Sequence, residues 1–136
     1  MNTITRQLRG AAIVAALLSA GWARADIVVV MAPGSAPLSK DQVNAVYLGR
    51  SLDLKPVDLP EGSATRDVFY KKATDRDAAQ IKAVWARLTF TGKGQAPAEL
   101  PDAAAVKKAV AADPKAVGYI DKAAVDGSVK VVLSLD

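Results

Sequence analysis

The chain has 136 residues, with 18 Lys plus Arg against 14 Asp plus Glu, and it contains neither Cys nor His. Without these two residue types, disulfides, a Ser-His-Asp triad, a Cys-His dyad and the usual zinc sites are all excluded. Three of the basic residues (Arg6, Arg9 and Arg24) precede residue 26, so the remaining 111 residues carry a formal charge of only +1. Such a nearly neutral domain with few aromatic residues lacks the basic surface that nucleic-acid binding requires.

The first 25 residues have the pattern of a secretory signal peptide. A short basic segment is followed by an uncharged, mostly apolar run over residues 10–22, and then by Ala23-Arg24-Ala25. This order is the one that a signal peptidase recognises, and the apolar run is shorter than the about 20 residues that a membrane-spanning anchor needs. We therefore expect cleavage after Ala25. Residues 26–136 are then one periplasmic domain without a membrane span, large enough for a single core.

Two apolar runs near the ends of this domain predict strands. The run from Ile27 to Met31 and the run from Val129 to Leu133 both lack regular alternation, which is typical of central strands covered on both faces. Residues 116–120 predict a further strand. Lys55–Asp58 predicts another, and its proline favours an edge position or a late start.

Helical patterns lie between these strands. Ser39 and Gln42 form a capping box that predicts a helix ending at Gly49. A second helix is expected to begin near Asp75 or Asp77, and a third begins at Pro101-Asp102 and is stopped by Asp113-Pro114. The inner stripes of the three helices consist of apolar side chains: Val43, Val46 and Tyr47; Ile81, Val84, Trp85 and Leu88; Val106, Ala109 and Val110. Strands alternating with helices predict an α/β domain with a mainly parallel sheet.

The acidic residues favour structural roles over catalysis or metal binding. Asp41, Asp75, Asp77 and Asp102 are all predicted at helix caps or in first turns, where a negative charge stabilises a helix. Gly92-Lys93-Gly94 lacks the spacing of a phosphate-binding P-loop and favours a flexible turn. We therefore expect neither an enzyme nor a bound cofactor.

The segment from Glu61 to Arg66 is the candidate binding site. A predicted strand leads through Pro60 and Gly62 into a helix start, where Ser63 and Thr65 offer hydroxyl groups beside free backbone N–H donors. Such a helix start binds oxyanions readily, and the carboxyl ends of strands in open α/β sheets are common ligand sites. The alternative is that Ser63 serves only as the N-cap of the helix.

Taken together, these segments resemble the phosphate-binding proteins of bacterial ABC transporters, which are type II periplasmic binding proteins, and especially a small single-lobe branch of that family. The matching segments occur in the family's order: Leu38–Arg50, Gly62–Thr65 with Phe69, Trp85, Thr91–Gly94 and Val117–Ile120. The resemblance implies one α/β lobe with a mainly parallel, mixed sheet flanked by helices. It also implies an anion site at Glu61, Gly62, Ser63, Ala64, Thr65 and Arg66.

The sequence departs from the family at two positions. Leu59 stands where the family has an Arg that opposes the anion's charge, and Glu61 stands where the family has an Asp that accepts a proton from hydrogen phosphate. Arg66 is the nearest replacement cation, although it lies in the predicted helix. Full family members also have two lobes, whereas this chain has length for one.

Two functions follow from these observations. The first is reversible binding of phosphate or a similar oxyanion in the periplasm, without catalysis. The second is a non-catalytic interaction module that docks on an envelope transporter, porin or sensor without binding a small molecule. Pairing of two copies is compatible with both functions.

Overall fold

The computed structural model describes residues 26–135. The predicted signal peptide, residues 1–25, lies outside the described residues, as does Asp136. In chain order the described elements are β1 (Ile27–Met31), α1 (Lys40–Tyr47), β2 (Lys55–Asp58), α2 (Ala64–Thr74), α3 (Ala78–Phe90), β3 (Ala98–Glu99), α4 (Ala103–Ala112), β4 (Ala116–Asp121), a 3₁₀ turn (Lys122–Ala124) and β5 (Lys130–Leu135). Each of the helices in this range is too short or too polar to cross a lipid bilayer.

The strands form one mixed sheet in the order β3-β2-β4-β1-β5. Strand β2 is parallel to β3 and β4, while β1 is antiparallel to both of its neighbours, β4 and β5. Four strands therefore run in one direction and β1 runs in the other. This arrangement confirms the predicted α/β fold with a mainly parallel mixed sheet.

The two continuous apolar runs have different positions in the sheet. All five residues of β1 are buried, which confirms the prediction of a central strand. The same prediction for the second run is wrong, because β5 pairs with β1 alone and forms an edge of the sheet. Val131 and Leu133 are only half-buried there and Ser134 is exposed. The apolar run has the same pattern as a strand covered on both faces, although β5 is covered only in part, so the pattern did not reveal its edge position.

Helices cover both faces of the sheet. A Cβ atom added at Gly118 would meet the side chains of Val106 and Val110 on α4. The next residue, Tyr119, stacks on Phe69 of α2 with ring centroids 3.8 Å apart. Because consecutive strand residues point to opposite faces, α4 lies on one face of β4 and α2 lies on the other.

Side-chain caps set the starts of the helices, as predicted. Ser39 and Gln42 complete the capping box of α1, and Asp77 forms a second one at α3 with Gln80. Asp102 caps α4 by accepting a hydrogen bond from the N–H of Ala105 at 2.9 Å. The prediction for Asp75 is wrong: it ends α2 in a left-handed conformation with φ of 60°, where its charge gains nothing from a helix N-terminus.

The sequence predicts no strand between α3 and α4, where the structure has strand β3. It has only two residues, Ala98 and Glu99, which pair with Val57 and Asp58 of β2. The pairing with β3 thus begins one residue after Pro56. The expectation of an edge position or a late start for β2 is wrong, because β2 begins at Lys55, pairs with β4 at Lys55 and Pro56, and lies between β3 and β4. Proline has no N–H group to donate, and the side of β2 that pairs with β3 is used only beyond it.

Candidate functional site

The candidate site lies at the carboxyl edge of the sheet. The parallel strands β2, β3 and β4 end there at Asp58, Glu99 and Asp121. The loops that follow β2 and β3 lead directly into α2 and α4, whose N-caps are Ser63 and Asp102. Parallel pairing therefore gathers several strand ends and two helix starts at one edge of the domain.

The turn before α2 has the geometry that the sequence predicted for a helix start. Gly62 has φ of 91°, a left-handed value that favours glycine. Ser63 then caps the helix, its hydroxyl oxygen accepting from the N–H of Arg66 at 3.2 Å. The N–H groups of Ala64 and Thr65 follow in the first turn, and neither has a hydrogen-bond acceptor within residues 26–135. They remain available to a ligand or to water.

A cavity of about 300 Å³ opens beside this turn. We call it the helix-start cavity, and it is lined by Leu59, Pro60, Ser63, Thr65, Pro101, Asp102, Ala103, Ile120 and Asp121. The first turns of α2 and α4 thus border the same space. Its polar wall also carries two carboxylates, and the Thr65 hydroxyl donates to one of them, Asp121 Oδ2, at 3.3 Å.

A second and larger cavity of about 470 Å³ lies against α3. We call it the tryptophan cavity, and it is lined by Asp58, Glu61, Arg66, Ile81, Lys82, Trp85, Ala86, Thr89, Phe90, Ala96, Pro97 and Glu99. Most of its wall is apolar, and its charged side chains other than Lys82 of α3 lie where β2, β3 and the start of α2 meet.

The six predicted site residues are divided between these cavities. Ser63 and Thr65 line the helix-start cavity, whereas Glu61 and Arg66 line the tryptophan cavity. Gly62 and Ala64 contribute backbone to the turn between them. The carboxylate of Glu61 is 61% exposed and lies 3.9 Å from the ammonium group of Lys82.

Arg66 is buried in a network that the sequence did not reveal. Its Nη1 donates to the backbone oxygen of Leu59 at 2.8 Å and to Oε2 of Glu99 at 3.2 Å, and it lies 3.8 Å from Oδ2 of Asp58. The guanidinium group also lies over the ring of Tyr70, 5.5 Å from its centroid. Arg66 therefore links the end of β2, the end of β3 and the start of α2.

Asp58 is the acceptor at the centre of this network and is only 2% exposed. Its carboxylate accepts from the Tyr70 hydroxyl at 2.5 Å, from the Leu59 N–H at 2.9 Å and from the Tyr119 hydroxyl. Burial raises the pKa of Asp58, although these hydrogen bonds and Arg66 act in the opposite direction. Burial, followed by the charge of Asp58, also raises the pKa of both tyrosines, so they remain protonated donors.

No sequence signal distinguished Asp58 from the exposed acidic residues. Its partners Tyr70 and Tyr119 lie 12 and 61 residues further along the chain, and only the packing of α2 against β4 brings them together. Among residues 26–135, no group of three or more acidic side chains is arranged to hold a metal ion.

The sequence matches no protein-family model and no curated protein, but the fold is similar to two solved structures. One is an ABC-type phosphate transport receptor from Vibrio cholerae, with 20% identity and a TM-score of 0.62 over 79% of this chain and 45% of the receptor. The other, from Clostridium perfringens, is described as a phosphate ABC transporter substrate-binding protein with bound phosphate. It has 20% identity and a TM-score of 0.59 over 79% of this chain and 44% of that protein.

These comparisons confirm the resemblance to phosphate ABC transporter substrate-binding proteins at the level of the fold. They also show that the chain spans less than half the length of either solved protein. The described domain is therefore similar to one part of such a receptor.

Proposed function

We propose that this protein is an exported, non-catalytic solute-binding protein that reversibly binds phosphate or a similar oxyanion in the helix-start cavity. One observation carries the proposal: the first turns of α2 and α4 border the same cavity at the carboxyl edge of the sheet. Both helix dipoles favour negative charge there, and the free N–H groups of the first turns are suitable donors to oxyanion oxygens.

The ligand contacts in this proposal come from the Gly62–Thr65 turn. The hydroxyl groups of Ser63 and Thr65 line the cavity, and the N–H groups of Ala64 and Thr65 supply backbone donors. Glu61 and Arg66 line the other cavity, so we do not assign them a contact with the anion. In their place, Asp121 supplies the acidic group beside the ligand.

The two carboxylates of the cavity favour a protonated anion. A carboxylate accepts hydrogen bonds but cannot donate one when ionised, and it repels a ligand without a proton. Hydrogen phosphate carries a proton that it can donate to Asp121, whereas sulfate has none at neutral pH. We therefore expect phosphate to bind more tightly than sulfate.

The proposed location is the periplasm, with residues 1–25 acting as the cleaved signal peptide. The receptor fold supports a role in solute binding rather than catalysis, and the partner in transport would be an envelope transporter. A docking module without a small-molecule ligand is the second candidate. It is favoured by Phe90 on α3, whose ring is 92% exposed, since large exposed apolar side chains are common at contact surfaces.

Isothermal titration calorimetry with phosphate and sulfate tests the first function. A charged hydrogen bond contributes roughly 1.5–3 kcal/mol, so Ser63→Ala should weaken phosphate binding about tenfold or more. Ser39→Ala is the matched control, because it removes the N-cap of α1 and should cost a similar stability without changing affinity. Asp121→Asn should reduce the preference for phosphate over sulfate.

The titration also separates the two candidate functions. If the parent protein gives no saturable heat with phosphate, the oxyanion site is wrong and the docking module becomes the better explanation. If Ser63→Ala and Ser39→Ala weaken binding equally, the effect is one of helix stability and Ser63 makes no contact with the anion.

A further inference from the structure

The tryptophan cavity is not used by the proposed oxyanion site, although it is the larger of the two. Its volume of about 470 Å³ lies within the range of roughly 300–1,000 Å³ that is usual for small-molecule sites. The walls are formed by Ile81, Trp85, Ala86, Phe90, Ala96 and Pro97. An apolar wall of this kind with a few polar groups at one end is the usual composition of such a site.

Arg66 lines the cavity and has hydrogen-bond donors without an acceptor. Its side chain is only 10% exposed, and the hydrogen bonds from Nη1 to Leu59 and Glu99 account for two of its five N–H donors. The Nε and Nη2 groups have no acceptor within the described part of the chain. Buried donors are normally hydrogen-bonded and Arg66 is one of the residues that line the cavity, so we expect a ligand in the cavity to supply the missing acceptor oxygen.

The charges around Arg66 determine what kind of oxygen this is. Asp58 and Glu99 lie 3.8 and 3.2 Å from Nη1, so the positive charge of Arg66 is already balanced. The remaining charged side chains of the cavity, Glu61 and Lys82, lie 3.9 Å apart and offset one another. A further carboxylate or phosphate would therefore meet a site that is negative overall, whereas a neutral carbonyl oxygen uses the free donors without adding charge.

We propose that the tryptophan cavity is a second binding site, specific for an uncharged ligand in which an apolar, ring-sized group carries a carbonyl or amide oxygen. The apolar group packs against Trp85 and covers Phe90, and the oxygen accepts from the Nε/Nη2 edge of Arg66. The site is separate from the helix-start cavity, so this proposal does not depend on oxyanion binding there.

Three probes of similar size test the charge argument: N-benzylacetamide, 3-phenylpropanoate and 3-phenylpropylammonium. Trp22 belongs to the predicted signal peptide, so Trp85 is the only tryptophan of residues 26–136 and its fluorescence reports on the cavity. We expect N-benzylacetamide to change this fluorescence saturably. The carboxylate probe should bind at least tenfold more weakly, because it meets Asp58 and Glu99. The ammonium probe should also bind more weakly, because it places a positive charge beside the Arg66 guanidinium group and offers that group no acceptor.

Two variants locate the binding. Ala86 is an exposed residue of α3 that lines the cavity, while Ala83 is an exposed residue of the same helix that does not. Ala86→Phe fills the cavity and should abolish the response to N-benzylacetamide, and Ala83→Phe should leave it unchanged.

A third variant tests the hydrogen bond from Arg66. Arg66→Lys keeps the charge beside Asp58 but removes the Nε and Nη2 donors. It should weaken amide binding about threefold to tenfold, which corresponds to the loss of one hydrogen bond.

Several results would overturn the proposal. Absence of a saturable response to N-benzylacetamide in the parent would show that the cavity does not bind such a ligand. Equal or tighter binding of either charged probe would refute the charge argument. An equal loss in Ala86→Phe and Ala83→Phe would locate the binding elsewhere. Phosphate calorimetry on Ala86→Phe should give the parent's result, which keeps the two sites distinguishable.

Discussion

Replacement of Trp85 by Ala tests the packing of α3 against the rest of the domain. The indole is only 7% exposed and its Nε1–H donates to the backbone oxygen of Tyr47 at 3.0 Å. The ring also lies against the turn after α1, since a Cβ atom added at Gly49 would be 3.2 Å from it. Trp85 therefore joins α3 to α1 by both packing and a buried hydrogen bond.

The expected cost of Trp85→Ala follows from these contacts. Truncation of a buried Trp typically costs about 3–5 kcal/mol through lost burial and the void that remains. The Tyr47 carbonyl also loses its donor, which alone costs about 1–3 kcal/mol when a buried acceptor stays unpaired. Because Trp85 borders a cavity that water can enter, these losses do not add fully, and we expect about 3–5 kcal/mol in total. Trp85→Phe should cost about 1–2 kcal/mol, mainly through the hydrogen bond.

Urea denaturation followed by circular dichroism measures both variants without relying on tryptophan fluorescence. Phe90→Ala is the control, because this equally apolar side chain on the same helix is 92% exposed and its loss should change stability by less than about 0.5 kcal/mol. A cost below about 1 kcal/mol for Trp85→Ala, the scale of ordinary surface changes, would refute the reasoning and show that the indole does not hold α3 in place.

Three further predictions concern the core and the chain start. Gly118→Ala should cost about 1–3 kcal/mol in chemical denaturation, because its Cβ would lie 2.6 Å from Val106, whereas Gly127→Ala meets no atom within 4 Å and should be neutral. Burial raises the pKa of all three tyrosines above 10. Burial of the un-ionised tyrosines therefore stabilises the folded protein fully below pH 10, and this contribution is lost as the pH rises toward the higher pKa values of the folded state. Tyrosinate absorbance should appear only when the protein unfolds. Ionisation of a tyrosine near pH 10 in the folded protein would contradict this. The intact mass of the protein purified from the periplasm should correspond to residues 26–136. A mass that includes residues 1–25 would refute cleavage.

Local patterns in the sequence were sufficient for most of the helices and strands. The capping box of Ser39 and the N-caps at Ser63, Asp77 and Asp102 are interactions between residues three apart in the chain, so composition and spacing alone reveal them. The run from Ile27 to Met31 is likewise apolar at every position because both of its faces are buried.

The sequence failed where a feature depends on what lies opposite a segment. The last strand reads like a central one, but its position at an edge is decided by pairing with β1 alone. The two-residue strand β3 carries no pattern of its own and forms only because β2 presents a free side beyond Pro56.

In the candidate site, too, local features were predictable from the sequence and long-range contacts were not. The spacing of residues was enough to predict that a helix begins at Ser63 after a glycine turn, because capping is a local interaction. The packing of distant segments places Glu61 and Arg66 against a different cavity from Ser63 and Thr65. The same packing buries Asp58 under Tyr70 and Tyr119. Residues adjacent on the first turn of a helix point in different directions, and their partners come from strands and helices distant in sequence. The ligand environment of this turn is therefore a property of the packed domain.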